Sequence, residues 1–172
     1  MKRLMLGLIV GSMLVVAGCG TESAAPPAAS SVALPADLFA TAAPAGAVDI
    51  VEAKKAAKDG ESIVIKGHIG GSKDPLAANR AIMLVADSSL PTCDKIPGDT
   101  CKTPWDSCCE PGDVIAAKTI AVHVDGADGQ PLKAGLAGAN GIEPKKQVVV
   151  AGTIRSVAGA LVVDAKQIYV AP

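Results

Sequence analysis

Four of the chain's five cysteines, and its single tryptophan, fall within one stretch, PTCDKIPGDTCKTPWDSCCEPGD (Pro91–Asp113). Cys93, Cys101, Cys108 and Cys109 are separated by seven, six and no intervening residues. Such a set can hold a metal, run thiol redox chemistry or cross-link a loop. A structural zinc site usually shows paired C-x2–4-C knuckles, and none is present. The spacings of iron–sulfur and haem attachment are missing too. A redox centre uses a strained or exposed cysteine pair, which the Cys108-Cys109 step offers. Cross-linking needs an oxidising compartment. A bond between the adjacent Cys108 and Cys109 would be strained. Two pairings then remain open: Cys93–Cys108 with Cys101–Cys109, or Cys93–Cys109 with Cys101–Cys108. Each closes loops of roughly 8–17 residues, worth about 2.5–3 kcal/mol apiece in the chain-entropy picture. Pro91, Pro97, Pro104 and Pro111, with Gly98 and Gly112, suit an irregular knot. The stretch is therefore read as two disulfides, with Trp105 and Asp106 offering a binding surface. A metal or thiol redox centre on the same four cysteines is the alternative.

Other candidates are weaker. His68 and His123 fall on the less apolar faces of two strand-like runs, about 10 Å apart if one strand lies between them. They are read as solvated histidines on one outer surface. GHIGGSK (Gly67–Lys73) lacks the G-x4-G-K-[ST] spacing of a phosphate loop. Asp125 and Asp128 belong to a turn, where aspartate is expected. DGADGQ has no closing Glu for a calcium loop. Neither G-x-S-x-G nor H-E-x-x-H occurs, so no nucleophile–base pair can be named. The chain is read as non-enzymatic, without metal or cofactor.

The elements that position these residues are mostly strands. DIVEAKKAAKDG predicts one short helix, with Asp49 and Glu52 spaced as a capping box and Gly60 as its stop. ESIVIKGHIGG (Glu61–Gly71), RAIMLVAD (Arg80–Asp87) and KTIAVHVDG (Lys118–Gly126) alternate or run apolar as strands do. A weak helix is expected near Leu132–Leu136. QVVVAGTIRS (Gln147–Ser156) and ALVVDAKQIYV (Ala160–Val170) flank a short Gly-containing turn and predict a hairpin. Within the last run, Leu161, Val163 and Ala165 share one parity and Ile168 and Val170 the other. A bulge near Lys166 would restore the register.

Ahead of these elements, MKRLMLGLIVGSMLVVAGC has a charged start and then an apolar run, the pattern of a secretory signal. It is too short for a membrane span of roughly 20 apolar residues. Its end, Val16-Ala17-Gly18-Cys19, resembles the lipobox of bacterial lipoproteins. That resemblance implies cleavage after Gly18 and acylation of Cys19, and stable anchoring takes two or more chains. Gly20 rather than Asp after the cysteine resembles an outer-membrane-directed lipoprotein signal, with the domain facing the periplasm. Residues 1–18 are thus read as signal peptide, 19–47 as an Ala/Pro/Ser tether and 48–172 as the folded domain, with the cysteine-rich insertion at 91–113. Within the tether, Val32, Leu34, Leu38 and Phe39 form an apolar patch that either docks on the domain or simply lies in the tether.

Cleavage would remove Lys2 and Arg3, leaving 14 of 16 basic residues against 17 acidic. No basic excess remains to neutralise phosphates, which argues against nucleic acid as a partner. Five short strands with a helix between the third and fourth resemble an OB-fold, the small Greek-key barrel. The resemblance covers Glu61 to Val170, and Gly67 lies where a first strand must coil through two sheets. It implies a mainly β, five-stranded barrel in the order β-β-β-α-β-β, behind a short N-terminal helix. A long cysteine-rich loop would join its second and third strands. TPWDSCCEP also resembles a block of uncharacterised exported bacterial proteins, which brings no known chemistry. The sequence reads as an anchored envelope protein acting as a binding or structural module, its partner an unknown envelope protein or small ligand.

Overall fold

The computed structural model describes residues 33–172. The signal region, Cys19 and the first part of the expected tether lie outside the described residues. The elements run β1 (Val48–Asp49), α1 (Ile50–Ala56), β2 (Ser62–Ile69), β3 (Ile82–Ala86), α2 (Gly112–Lys118), β4 (Thr119–His123), β5 (Gln147–Val157) and β6 (Ala160–Val170). Strands lie in the order β1-β2-β3-β4-β6-β5, and β2 also pairs with β5. The last pairing joins the ends, so β2 to β6 form a closed five-stranded barrel with OB-like connectivity. The two-residue β1 runs parallel along the outside of β2.

Closure depends on two local devices. β2 pairs with β5 from Ser62 to His68 and with β3 at His68 and Ile69. At the crossing, a Cβ on Gly67 would stand 2.3 Å from the Ala86 carbonyl oxygen and 2.9 Å from Val85 Cγ1. Only glycine fits so close an approach. In β6, Ala151 faces Gln167 and Gly152 faces Ala165, which makes Lys166 the extra, unpaired residue. The bulge expected there is present. It lets Val163, Ala165 and Ile168 all point inward, where each is at most 4% exposed.

The core is aliphatic. Ile65, Ile69, Met83, Val85, Val122, Val150 and Ile154 are fully buried from the strands, joined by Ile50 and Ala53 of α1. Three sequence expectations need correction. First, the tether does not extend to residue 47. Leu38 is 1% exposed within the core, and Phe39 forms a bridge with Ile168. Ile168 N donates to Leu38 O at 2.7 Å and Ala40 N to Ile168 O at 3.0 Å. The low-complexity composition hid a strap whose few apolar residues find the open side of β6. Second, residues 132–136 are not helical. A 3-10 turn at Ala139–Gly141 occupies that connection, because Gly135, Gly138 and Gly141 break helical continuity. The second α-helix is α2, at the end of the cysteine loop. Third, Asp49 makes no side-chain cap on α1. Its carboxylate faces Lys66 at 3.4 Å, while Glu52 pairs with Lys55 at 2.8 Å. Asp87, at the end of β3, does the capping by accepting from Val51 N at 3.0 Å and Ser89 N at 2.9 Å. Burial pushes the Asp87 carboxyl up, but these donors and Lys118 pull it below the usual carboxylate range.

Candidate functional site: the cysteine loop and the cleft beside it

The loop between β3 and β4 folds back across the barrel's outer face. Internally, Cys93 N donates to Asp106 O at 2.7 Å and Asp94 N to Pro104 O at 3.3 Å. Ser107 Oγ donates to Pro91 O at 2.8 Å. Externally, Gly71 N donates to Trp105 O at 3.1 Å, and Trp105 Nε1 donates to Lys73 O at 3.0 Å. Lys145 Nζ pairs with Asp94. Gly70 and Gly71 are the seat: a Cβ on Gly70 would press to 2.7 Å on Trp105 O, and Gly71 has φ +78°. The sequence marks this seat only by a glycine pair straight after a strand, without the spacing of a phosphate loop.

Within the loop the sulfurs of Cys93, Cys108 and Cys109 gather, and Cys101 approaches Cys93 and Cys108. Cys93 sits in a 3-10 turn and is buried, Cys101 is half-buried, and Cys108 and Cys109 are exposed. Cys108 Sγ lies 3.5 Å from Cys93 Sγ and 3.8 Å from Cys101 Sγ. Ligand atoms of Cys93, Cys108 and Cys109 all fall within 4.8 Å of one another, as do those of Cys93, Asp99 and Cys101, and of Cys101, Asp106 and Cys108. No sulfur–sulfur bond joins the four in this structure. Each surviving pairing contains one of the two short contacts, and geometry does not choose between them. Burial, with the neighbouring sulfurs, pushes the Cys93 thiol up to about 12. The Thr103 hydroxyl, 3.4 Å from Cys101 Sγ, draws that thiol down. Asp106 does not present a binding surface. It is 9% exposed, and its carboxylate accepts from Ser107 N at 2.7 Å. Trp105 is half-buried and pinned at both ends.

Beside the loop opens a cleft of about 560 Å³ lined by His68, Leu90, Thr92, Lys95, Lys145 and Gln147. His68 is not solvated: it is 6% exposed, and its Nε2 is buried without a protein partner. Burial lowers its pKa, against the pull of Asp87 and Asp94, so the ring is neutral at pH 7. Nor do the two histidines share a surface. Along β3, His68 stands beside Ala86 and His123 beside Ile82, at opposite ends of the strand.

His123 belongs instead to an ionic cluster. Its Nδ1 lies 3.9 Å from Asp125 Oδ1, Arg155 pairs with Asp125, and Lys166 Nζ meets Asp164 at 2.6 Å. Burial and then Asp164 push the Asp125 carboxyl up, while burial lowers His123. Asp125, read from sequence as a turn residue, anchors the turn through Arg155, whose guanidinium also donates to Gly129 O at 3.2 Å.

No family model matches the chain, and no curated protein matches it. Among solved structures it is similar to the hypothetical protein ygiW from E. coli, at 19% identity and a TM-score of 0.41, over 74% of this chain and 94% of that one.

Proposed function

We propose that this chain is a lipid-anchored protein of the bacterial cell envelope whose barrel is a binding module rather than a catalyst. The anchor is Cys19, supported by the apolar leader and the VAGC that ends it. Residues between Cys19 and the strap serve as tether, so the domain faces the periplasm, and Gly20 favours the outer membrane. The observation that carries the binding reading is the docked cysteine loop with its adjoining cleft. A long connection with no regular sheet of its own is held against the barrel by a backbone bond from Gly71 N to Trp105 O and by the Trp105 indole on Lys73 O. The cleft it borders combines an apolar wall, two lysines and a neutral histidine. A rigid, partly exposed aromatic on the same loop, Trp105, is a good anchor for a partner. Nucleic acid is disfavoured, since stacking platforms on a basic groove are lacking. The partner is an envelope protein or a small envelope ligand.

The test is retention of envelope components on the mature, immobilised chain. Wild type should enrich a component that Trp105→Ala and Lys145→Ala lose. Equal retention by both variants rejects the loop as the contact surface, and no retention by wild type rejects the binding module.

A further inference from the structure

We propose that Cys93, Cys101, Cys108 and Cys109 form a binding site for a soft, closed-shell metal ion of the zinc class. Sequence spacing hides such a site, because no knuckle pair is present; the folded loop makes it. Three separate segments carry the sulfurs; backbone bonds from Cys93 N to Asp106 O and Asp94 N to Pro104 O, with the Ser107 hydroxyl on Pro91 O, tie the first to the third without help from the sulfurs themselves.

The sulfur separations carry the inference. A zinc ion bound by thiolates at about 2.3 Å places neighbouring sulfurs about 3.8 Å apart along the edges of a tetrahedron. Cys108 Sγ stands 3.5 Å from Cys93 Sγ and 3.8 Å from Cys101 Sγ, and Cys109 falls within 4.8 Å of both Cys93 and Cys108. A disulfide has a bond of about 2.05 Å; both contacts of Cys108 are longer than that and match the sulfur–sulfur edges around a thiolate-bound ion. Sulfur ligands select zinc, cadmium or copper(I) over magnesium or calcium. Asp99 lies near Cys93 and Cys101, and Asp106 near Cys101 and Cys108, as outer oxygen groups. Binding is balanced by proton release: four thiols become thiolates around one divalent ion, and up to four protons pass to solvent. Cys108 and Cys109 are exposed, which gives the ion an entry path.

The site is built from loop residues alone and does not rest on the proposed anchor. Export into an oxidising compartment would favour cross-links between the same sulfurs, and the experiment must detect that outcome. The full-length chain is extracted in detergent without reductant and divided. One part is assayed for bound metal, and one is alkylated under denaturing conditions with chelator for intact mass. A third is stripped and titrated with Zn2+ and with Co2+. The expected result is about one zinc-class ion per chain, all four loop thiols alkylated (a fifth alkylation reports only an unacylated Cys19), and a cobalt form with thiolate-to-metal charge-transfer absorption. Cys101→Ser should weaken zinc binding by more than about 100-fold, beyond the loss typical of an outer-shell change. Two disulfides in the extracted chain would overturn the proposal, and so would four free thiols that take up neither Zn2+ nor Co2+. The cobalt spectrum of the wild type decides the matter even if a serine variant folds poorly.

Discussion

At Gly67 the chain has no room for a single extra carbon. Gly67→Ala would drive a methyl into the Ala86 carbonyl at 2.3 Å, a backbone clash that no rotamer relieves. We expect a loss of about 3 kcal/mol or failure to fold, read from urea denaturation. This residue was legible in the sequence, because glycine within an alternating strand marks a close approach or a bend. Asp87 was not. Its acceptor role joins Val51, 36 positions away, and only the fold brings them together. Asp87→Ala should cost about 1–3 kcal/mol, since two backbone donors lose their partner; an unchanged urea midpoint would refute the capping role. The same reason explains the cysteines: their types and positions were plain, but the approach of three segments to one another was not.

Among the elements, the five barrel strands were readable because each buries one face, so side-chain parity is written directly into the sequence. The Lys166 bulge followed from the parity switch between Ala165 and Ile168. The strap at Leu38 and Phe39 was ambiguous, because alanine, proline and serine around it carry no period. It is now a structural element. Leu38→Ala should lower stability by about 3 kcal/mol, as for other buried leucines, and deleting residues 33–40 should lower the melting temperature further. A tether with no role in the core would show neither change. Helix α2 escaped notice because it buries no residue, and without a buried face there is no stripe to read. The cleft was equally invisible, as its lining comes from positions 68, 88–92, 95, 145 and 147.

Over the whole molecule, acid sensitivity follows from the histidines. His68 and His123 both have pKa values below the ordinary 6.5 in the folded state. The unfolded chain therefore binds more protons below pH 6.5, so stability falls as pH drops through that value toward the folded pKa values. Asp125, shifted upward, works the other way at lower pH. Urea midpoints should decline between about pH 6.5 and 5, and the His68→Gln, His123→Gln double variant should flatten that decline. A midpoint that rises on acidification over this range would contradict the burial of the two rings. Location is the other property of the whole chain, and it decides which partners the cleft can meet. The most direct measurement is the intact mass and membrane partition of the chain recovered from cells. A chain that begins at acylated Cys19, sits with the membranes and is released by Cys19→Ser is the result required. A full-length chain still carrying Met1, free in the cytosol and without lipid, would contradict the envelope reading.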